Sequence, residues 1–171
     1  LLTENGVSTL FLKDAAANLT LLANRTDPFV FSSCAAYATL SGLYLAMQQN
    51  IQVILVERDI NDHAAFFEAL GSAGEIPDKE RVKNTIKGLR EHVRFLNEHE
   101  DIVNFTILLE ITAQTSQARD HGGVNVPSGR MTRPDFLSHL VEAYKRMKAK
   151  LSSSELKVVD GEQEQNAVRQ A

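Results

Sequence analysis

The chain reads as an all-α protein: a helical bundle of four to five helices with one long central helix. Three observations lead there. Phe29 to Val56 is a run of 28 residues without Asp, Glu, Lys or Arg, in a chain where 23% of residues are charged. Val82, Ile86, Leu89, Val93 and Leu96 alternate spacings of four and three, a heptad seam. Phe136, Leu137, Leu140, Val141, Tyr144 and Met147 form one face of a further helix, with Lys145 and Lys148 opposite. At 171 residues the chain suits a single domain that can bury its own core. Residues 1–151 are assigned to that domain and 152–171 to a polar tail.

Asn5-Gly6 marks a turn, and Val7 to Arg25 then predicts a helix on the stripe Ala15, Ala16, Leu19 and Leu22. Asp27 suits an N-cap and Pro28 a first helical residue, which starts a helix over about 28–50. Its small residues Ala38, Gly42 and Ala46 recur every four positions and would let another helix approach closely. Ile51 to Val56 is rich in β-branched residues, so it fits either a strand or more helix. This leaves an α/β alternative with a short strand at 51–57. Asn61 to Leu70 predicts a helix closed by Gly71-Ser72-Ala73-Gly74.

The heptad register continues through Glu100, Val103, Ile107 and Glu110, and residues 102–111 are apolar on every side, as in the middle of a bundle. Residues 120–131 form a loop of Gly, Pro and Ser. Thr132-Arg133-Pro134-Asp135 reads as a capping box with Thr132 as cap, opening the final helix.

A net charge of −4 argues against general nucleic-acid binding. The charge is uneven: residues 57–121 hold 13 acids and 8 bases, residues 122–151 hold 2 and 6. Cys34 is the one cysteine, so no internal disulfide forms and a reducing compartment is compatible. With no cation nearby it reads as a small packed hydrophobe. No cationic segment precedes an apolar run at Leu1-Leu2-Thr3-Glu4, which reads as no signal peptide and leaves localisation open.

No nucleophile elbow, Cys-x-x-Cys or Glu-x-x-His occurs. A dinucleotide unit would need G-x-G-x-x-G before the helix, where Ser32-Ser33-Cys34-Ala35-Ala36 stands instead. The reading that follows is a non-enzymatic helical protein acting through self-assembly or partner binding, as a homo-oligomer or with a protein partner. Its interface candidates are Ala38, Gly42, Ala46, Val82, Ile86, Leu89 and Val93. No cofactor and no metal are expected.

Two alternatives accompany it. One is a ligand- or metal-binding bundle, catalytic in one version, built on Glu57, His63, Glu100 and Glu110, with Glu110 partly buried among apolar neighbours. An anion held by Arg130 or Arg133 at the start of the last helix belongs to the same class. The other is a membrane-active protein inserting residues 29–56. Ser32, Ser33, Thr39 and Ser41 dilute that stretch, so membrane contact is not favoured.

Overall fold

Asp27 does cap the first long helix: its carboxylate accepts from the backbone N–H of Phe29 and Val30, with Pro28 at the first helical position. The computed structural model describes residues 6–15, 19, 27–99, 105–112, 114–115 and 133–163. Among these, the elements in chain order are β1 (Thr9–Leu12), α1 (Pro28–Gln48), β2 (Val53–Val56), α2 (Ile60–Ser72), α3 (Lys79–His99), β3 (Thr106–Glu110), α4 (Pro134–Lys148) and β4 (Leu156–Asp160).

The strands form two parallel pairs. β1 lies beside β2 with Thr9 opposite Val53 and Leu12 opposite Val56. β3 lies beside β4 with Thr106 opposite Leu156 and Glu110 opposite Asp160. Parallel pairing needs a crossover between the strands, and α1 supplies it for the first pair. The all-α reading is therefore corrected to an α/β architecture. Two segments account for the difference. Thr9–Leu12 is strand where a helix over Val7–Arg25 was expected, and most of the rest of that span lies outside the described residues. Thr106–Glu110 is strand where the long helix was extended; that helix ends at His99. A short apolar run suits a buried strand as well as a helix, and Phe105-Thr106-Ile107 is aromatic and β-branched. Residues 53–56 take the strand alternative. β4 falls within the stretch that composition marks as a polar tail.

α2 is the hub of the core. Phe67 and Leu70 on α2 and Phe136 on α4 are fully enclosed. The Phe66 and Phe136 rings meet edge-on at 5.3 Å, and Phe29 of α1 stands 5.5 Å from Phe67. The guanidinium of Arg81 covers the other side of Phe29 at 3.7 Å. The heptad seam of α3 turns inward: Val82, Ile86 and Leu89 are buried in this chain's own core, with Val93 packed at its margin. In the small-residue row of α1, Ala38 is exposed and Ala46 buried. Gly42 lies against β1 and not against a second helix; a Cβ there would stand 3.4 Å from Leu12 Cδ1. Cys34 is exposed, because α1 turns Val30, Cys34, Tyr37 and Leu45 outward while Ala36 and Leu40 enter the core. By length and composition α1 could cross a membrane, a test that packed core helices also pass.

Each strand pair covers the helices on one side and shows apolar residues on the other. Phe11 and Leu55 are register partners and both exposed; Ile107 and Leu109 are exposed on β3. α2 stops where Gly74 takes a left-handed φ of 75° and the N–H groups of Glu75 and Ile76 return to Leu70 O.

Candidate active site

In open α/β sheets ligands gather at the carboxyl ends of parallel strands, where loops converge and no side chain of the strand itself intrudes. Here β1 runs out toward Asp14 and β2 into Glu57-Arg58-Asp59, the triplet that ends the uncharged run. Glu57 is anchored by its backbone N–H to Leu12 O at 2.9 Å, and its Oε2 accepts from the Asp14 N–H at 3.3 Å. Arg58 has φ of 61°, the left-handed region that a side chain normally avoids. That turn carries its guanidinium back over the strand ends to Asp14, 3.3 Å away.

Asp59 then caps α2. Its Oδ1 accepts from the Asp62 N–H at 2.9 Å, and Asp62 Oδ2 accepts in return from the Asp59 N–H at 3.0 Å, a reciprocal capping box. The second oxygen of Asp59 accepts from Thr106 Oγ1 at 3.0 Å, which ties β3 to the site. Asp62 Oδ1 accepts from the Tyr144 hydroxyl of α4 at 2.9 Å. The next residue of the same helix, His63, is buried and its Nε2 lies 3.0 Å from Thr39 Oγ1 on α1. A cavity of about 40 Å³ lies between Arg58, Asp62, His63 and Tyr144, closed by Phe31 and Phe66.

Burial sets the protonation of this cluster. Asp62 is pushed up to about 6, first by desolvation and then by the negative charge of Asp59, against the Tyr144 hydrogen bond, which lowers it. His63 is pushed down to about 4, again by desolvation first; Asp14 and Asp59 oppose that shift and Arg58 adds to it. His63 is therefore a neutral imidazole at pH 7, and its contact with Thr39 is a neutral hydrogen bond. Tyr144 is driven up, by burial and by Asp62 beside it. Arg58 is thus the cation of the cluster, paired with Asp14 and near enough to Asp62 and His63 to lower the pKa of both. Among the described residues no group of three side chains is placed to hold a metal ion.

The sequence candidates separate clearly. Glu57 stands at the end of β2 beside Asp14, and His63 lies in the first turn of α2 against Thr39, with Arg58 and His63 lining the same small cavity. Glu110 is not buried: it is the last residue of β3, on the face that carries Leu108, and it is exposed there and pairs with Lys148 of α4 at 3.0 Å. Arg133 is the cap residue of α4 and is held at the surface by Glu75 at 2.9 Å and Asp135. The capping box expected from Thr132 is not the start of this helix, and Thr132 itself lies outside the described residues, as do Glu100, Arg130 and the 120–131 loop. Sequence reasoning passed over Arg58, Asp14, Asp59, Asp62, Thr39 and Tyr144. The available signal was the charged triplet directly after a β-branched run.

No protein-family model matches the chain, and no curated protein matches it in sequence. Solved structures do match in shape. A deoxyadenosine kinase from M. mycoides with the products dCMP and a flexible dCDP bound superposes with a TM-score of 0.63 at 14% identity, covering 99% of this chain and 85% of that one. The same kinase with bound dATP gives 0.57 at 12% identity, covering 96% of each chain. The likeness is one of fold. It overturns the helical-bundle and coiled-coil reading, and with it the non-enzymatic self-assembling helical protein drawn from that bundle, since the shared architecture is α/β.

Proposed function

We propose that the protein is a phosphoryl-transfer enzyme acting on a nucleoside or nucleotide, with its acceptor site at the carboxyl ends of β1 and β2. The observation that carries this reading is positional. A charged cluster occupies the strand ends of a fold that nearly the whole chain shares with a deoxyadenosine kinase. Phosphoryl transfer asks little covalent chemistry of a protein and depends on placing charge and positioning the acceptor. Arg58 is suited to grip phosphoryl oxygens, because its planar fork can exchange Asp14 for a phosphate. Glu57 is suited to accept the proton of an attacking hydroxyl. Asp62, Tyr144, His63 and Thr39 hold α1, α2 and α4 in register beneath them and act as positioning residues.

The 40 Å³ cavity admits little more than a water molecule, so acceptor binding requires side chains at its mouth to move. The test is transfer of labelled γ-phosphate from ATP to a panel of nucleosides and nucleoside monophosphates, alongside calorimetric binding of the same panel. Transfer or acceptor binding that disappears in Arg58→Ala and Glu57→Gln supports the reading. A protein that neither binds nor phosphorylates any member of the panel overturns it.

A further inference from the structure

On the far side of α2 and α3 from the strand ends lies an open groove of about 960 Å³. At its floor only the edges of the core residues Val82 and Ile86 reach the surface, 7% and 9% exposed, and Gly71 and Gly74 add no side chain at one end. Its walls carry Lys79, Lys83, Lys87, Arg90 and Arg94 of α3, with Lys150 facing them. Two acids line it. Glu68 is occupied by Arg146, and Glu91 sits 3.8 Å from Lys87 on an exposed turn. Among the described residues Lys79, Lys83, Arg90 and Lys150 have no ion pair. Six cations against two acids in one groove of a chain with net charge −4 concentrate positive potential there.

We infer that this groove docks an acidic amphipathic helix of a partner protein. The stems of the lysines, with the exposed edges of Val82 and Ile86, would meet the helix's aliphatic side, while their ammonium groups meet carboxylates on its flanks. Lys79, Lys83 and Lys87 recur every four residues, so their charges climb α3 at about 6 Å per step, the spacing of carboxylates four apart on a facing helix. From Lys79 to Arg94 the row spans about 22 Å, enough for roughly four turns of the partner. Nucleic acid fits less well, because no aromatic side chain lines the groove for a base to stack on. An anionic bilayer fits less well too, because the apolar surface lies at the bottom of a depression.

The test is fluorescence anisotropy with a labelled synthetic 16-residue peptide, Leu on one helical face and Glu elsewhere. A scrambled peptide of the same composition, a single-stranded oligonucleotide and phosphatidylserine-containing vesicles run beside it. The variant Lys83→Glu with Arg90→Glu changes two exposed residues without ion pairs, and circular dichroism checks that it stays helical; Lys79→Glu with Lys87→Glu repeats the test independently. The expected result is binding of the amphipathic peptide, weakened about tenfold or more by either double reversal and by scrambling. Absence of peptide binding, equal binding of the scrambled peptide, unchanged affinity in both variants, or tighter binding of the oligonucleotide or vesicles would each overturn the inference.

Discussion

The phenol of Tyr144 donates a 2.9 Å hydrogen bond to Oδ1 of Asp62, joining α4 to the first turn of α2 across 82 residues of sequence. Tyr144→Phe keeps the ring and removes the donor from a largely buried carboxylate. The expected cost is about 1.5–3 kcal/mol, the range for hydrogen bonds to charged groups. Because that bond holds the Asp62 carboxyl down, its pKa should also rise above about 6. Urea denaturation at pH 7.5 and a carboxyl NMR titration read the two effects separately.

Asp62 and His63 are neighbours whose protonation pulls stability in opposite directions. His63 has its folded pKa lowered from 6.5 to about 4, so its contribution is present above 6.5 and is lost as pH falls toward 4. Asp62 has its folded pKa raised from 3.8 to about 6, so its contribution is present below 3.8 and is lost as pH rises through 6. Each is worth up to about 3 kcal/mol, and between pH 4 and 6 they largely offset one another. Asp62→Asn should expose the histidine, giving a protein that loses stability more steeply than the parent from pH 6.5 to 4. His63→Asn should show the reverse slope. Parallel slopes in all three proteins would sink this account.

The backbone at Arg58 separates its geometry from its charge. At φ of 61° glycine is free of the penalty that any Cβ incurs, about 1 kcal/mol. Arg58→Gly should therefore be more stable than Arg58→Ala by about that amount, a difference of a few degrees in melting temperature. Both substitutions remove the guanidinium, so both should abolish the proposed phosphoryl transfer equally. An alanine variant at least as stable as the glycine one would mean the turn relaxes.

Core and surface aromatics should differ sharply. Phe67 is fully enclosed between Phe29 and the α2–α4 contact, and Phe67→Ala should cost about 3–5 kcal/mol. Tyr37 is 58% exposed on α1, and Tyr37→Ala should change stability by no more than about 0.5 kcal/mol. Chemical denaturation of the two variants checks the contrast.

What could be read from the residues alone was whatever depends on near neighbours. Asp27-Pro28 starts α1, Gly71 to Gly74 ends α2, and the 3.6-residue stripes place Val82, Ile86 and Phe136 inward. The strand at 53–56 was within reach as the alternative at 51–57, but its pairing escaped because pairing is not periodic: nothing near Thr9 announces Val53 as its partner. Thr106–Glu110 escaped because a short apolar run looks alike in a central helix and in a strand, and here the strand leaves Ile107 and Leu109 exposed. The site was half visible. Glu57 and His63 were singled out by residue type, and the break at Glu57-Arg58-Asp59 was plain. Asp14, Thr39, Thr106 and Tyr144 join them only through tertiary contacts.

The two parallel pairs also bear on how quickly this chain reaches its native state. Thr9 with Val53 and Thr106 with Leu156 each close a loop of roughly 45–50 residues before any strand hydrogen bond forms. α2 and α3 adjoin in sequence and meet through Leu70, Val82 and Ile86. The helical hairpin is thus the expected nucleus, with the strand ends and their charged cluster assembling late. Core substitutions in α2 should slow refolding, whereas changes at Glu57 or Asp59 should act mainly on the unfolding rate.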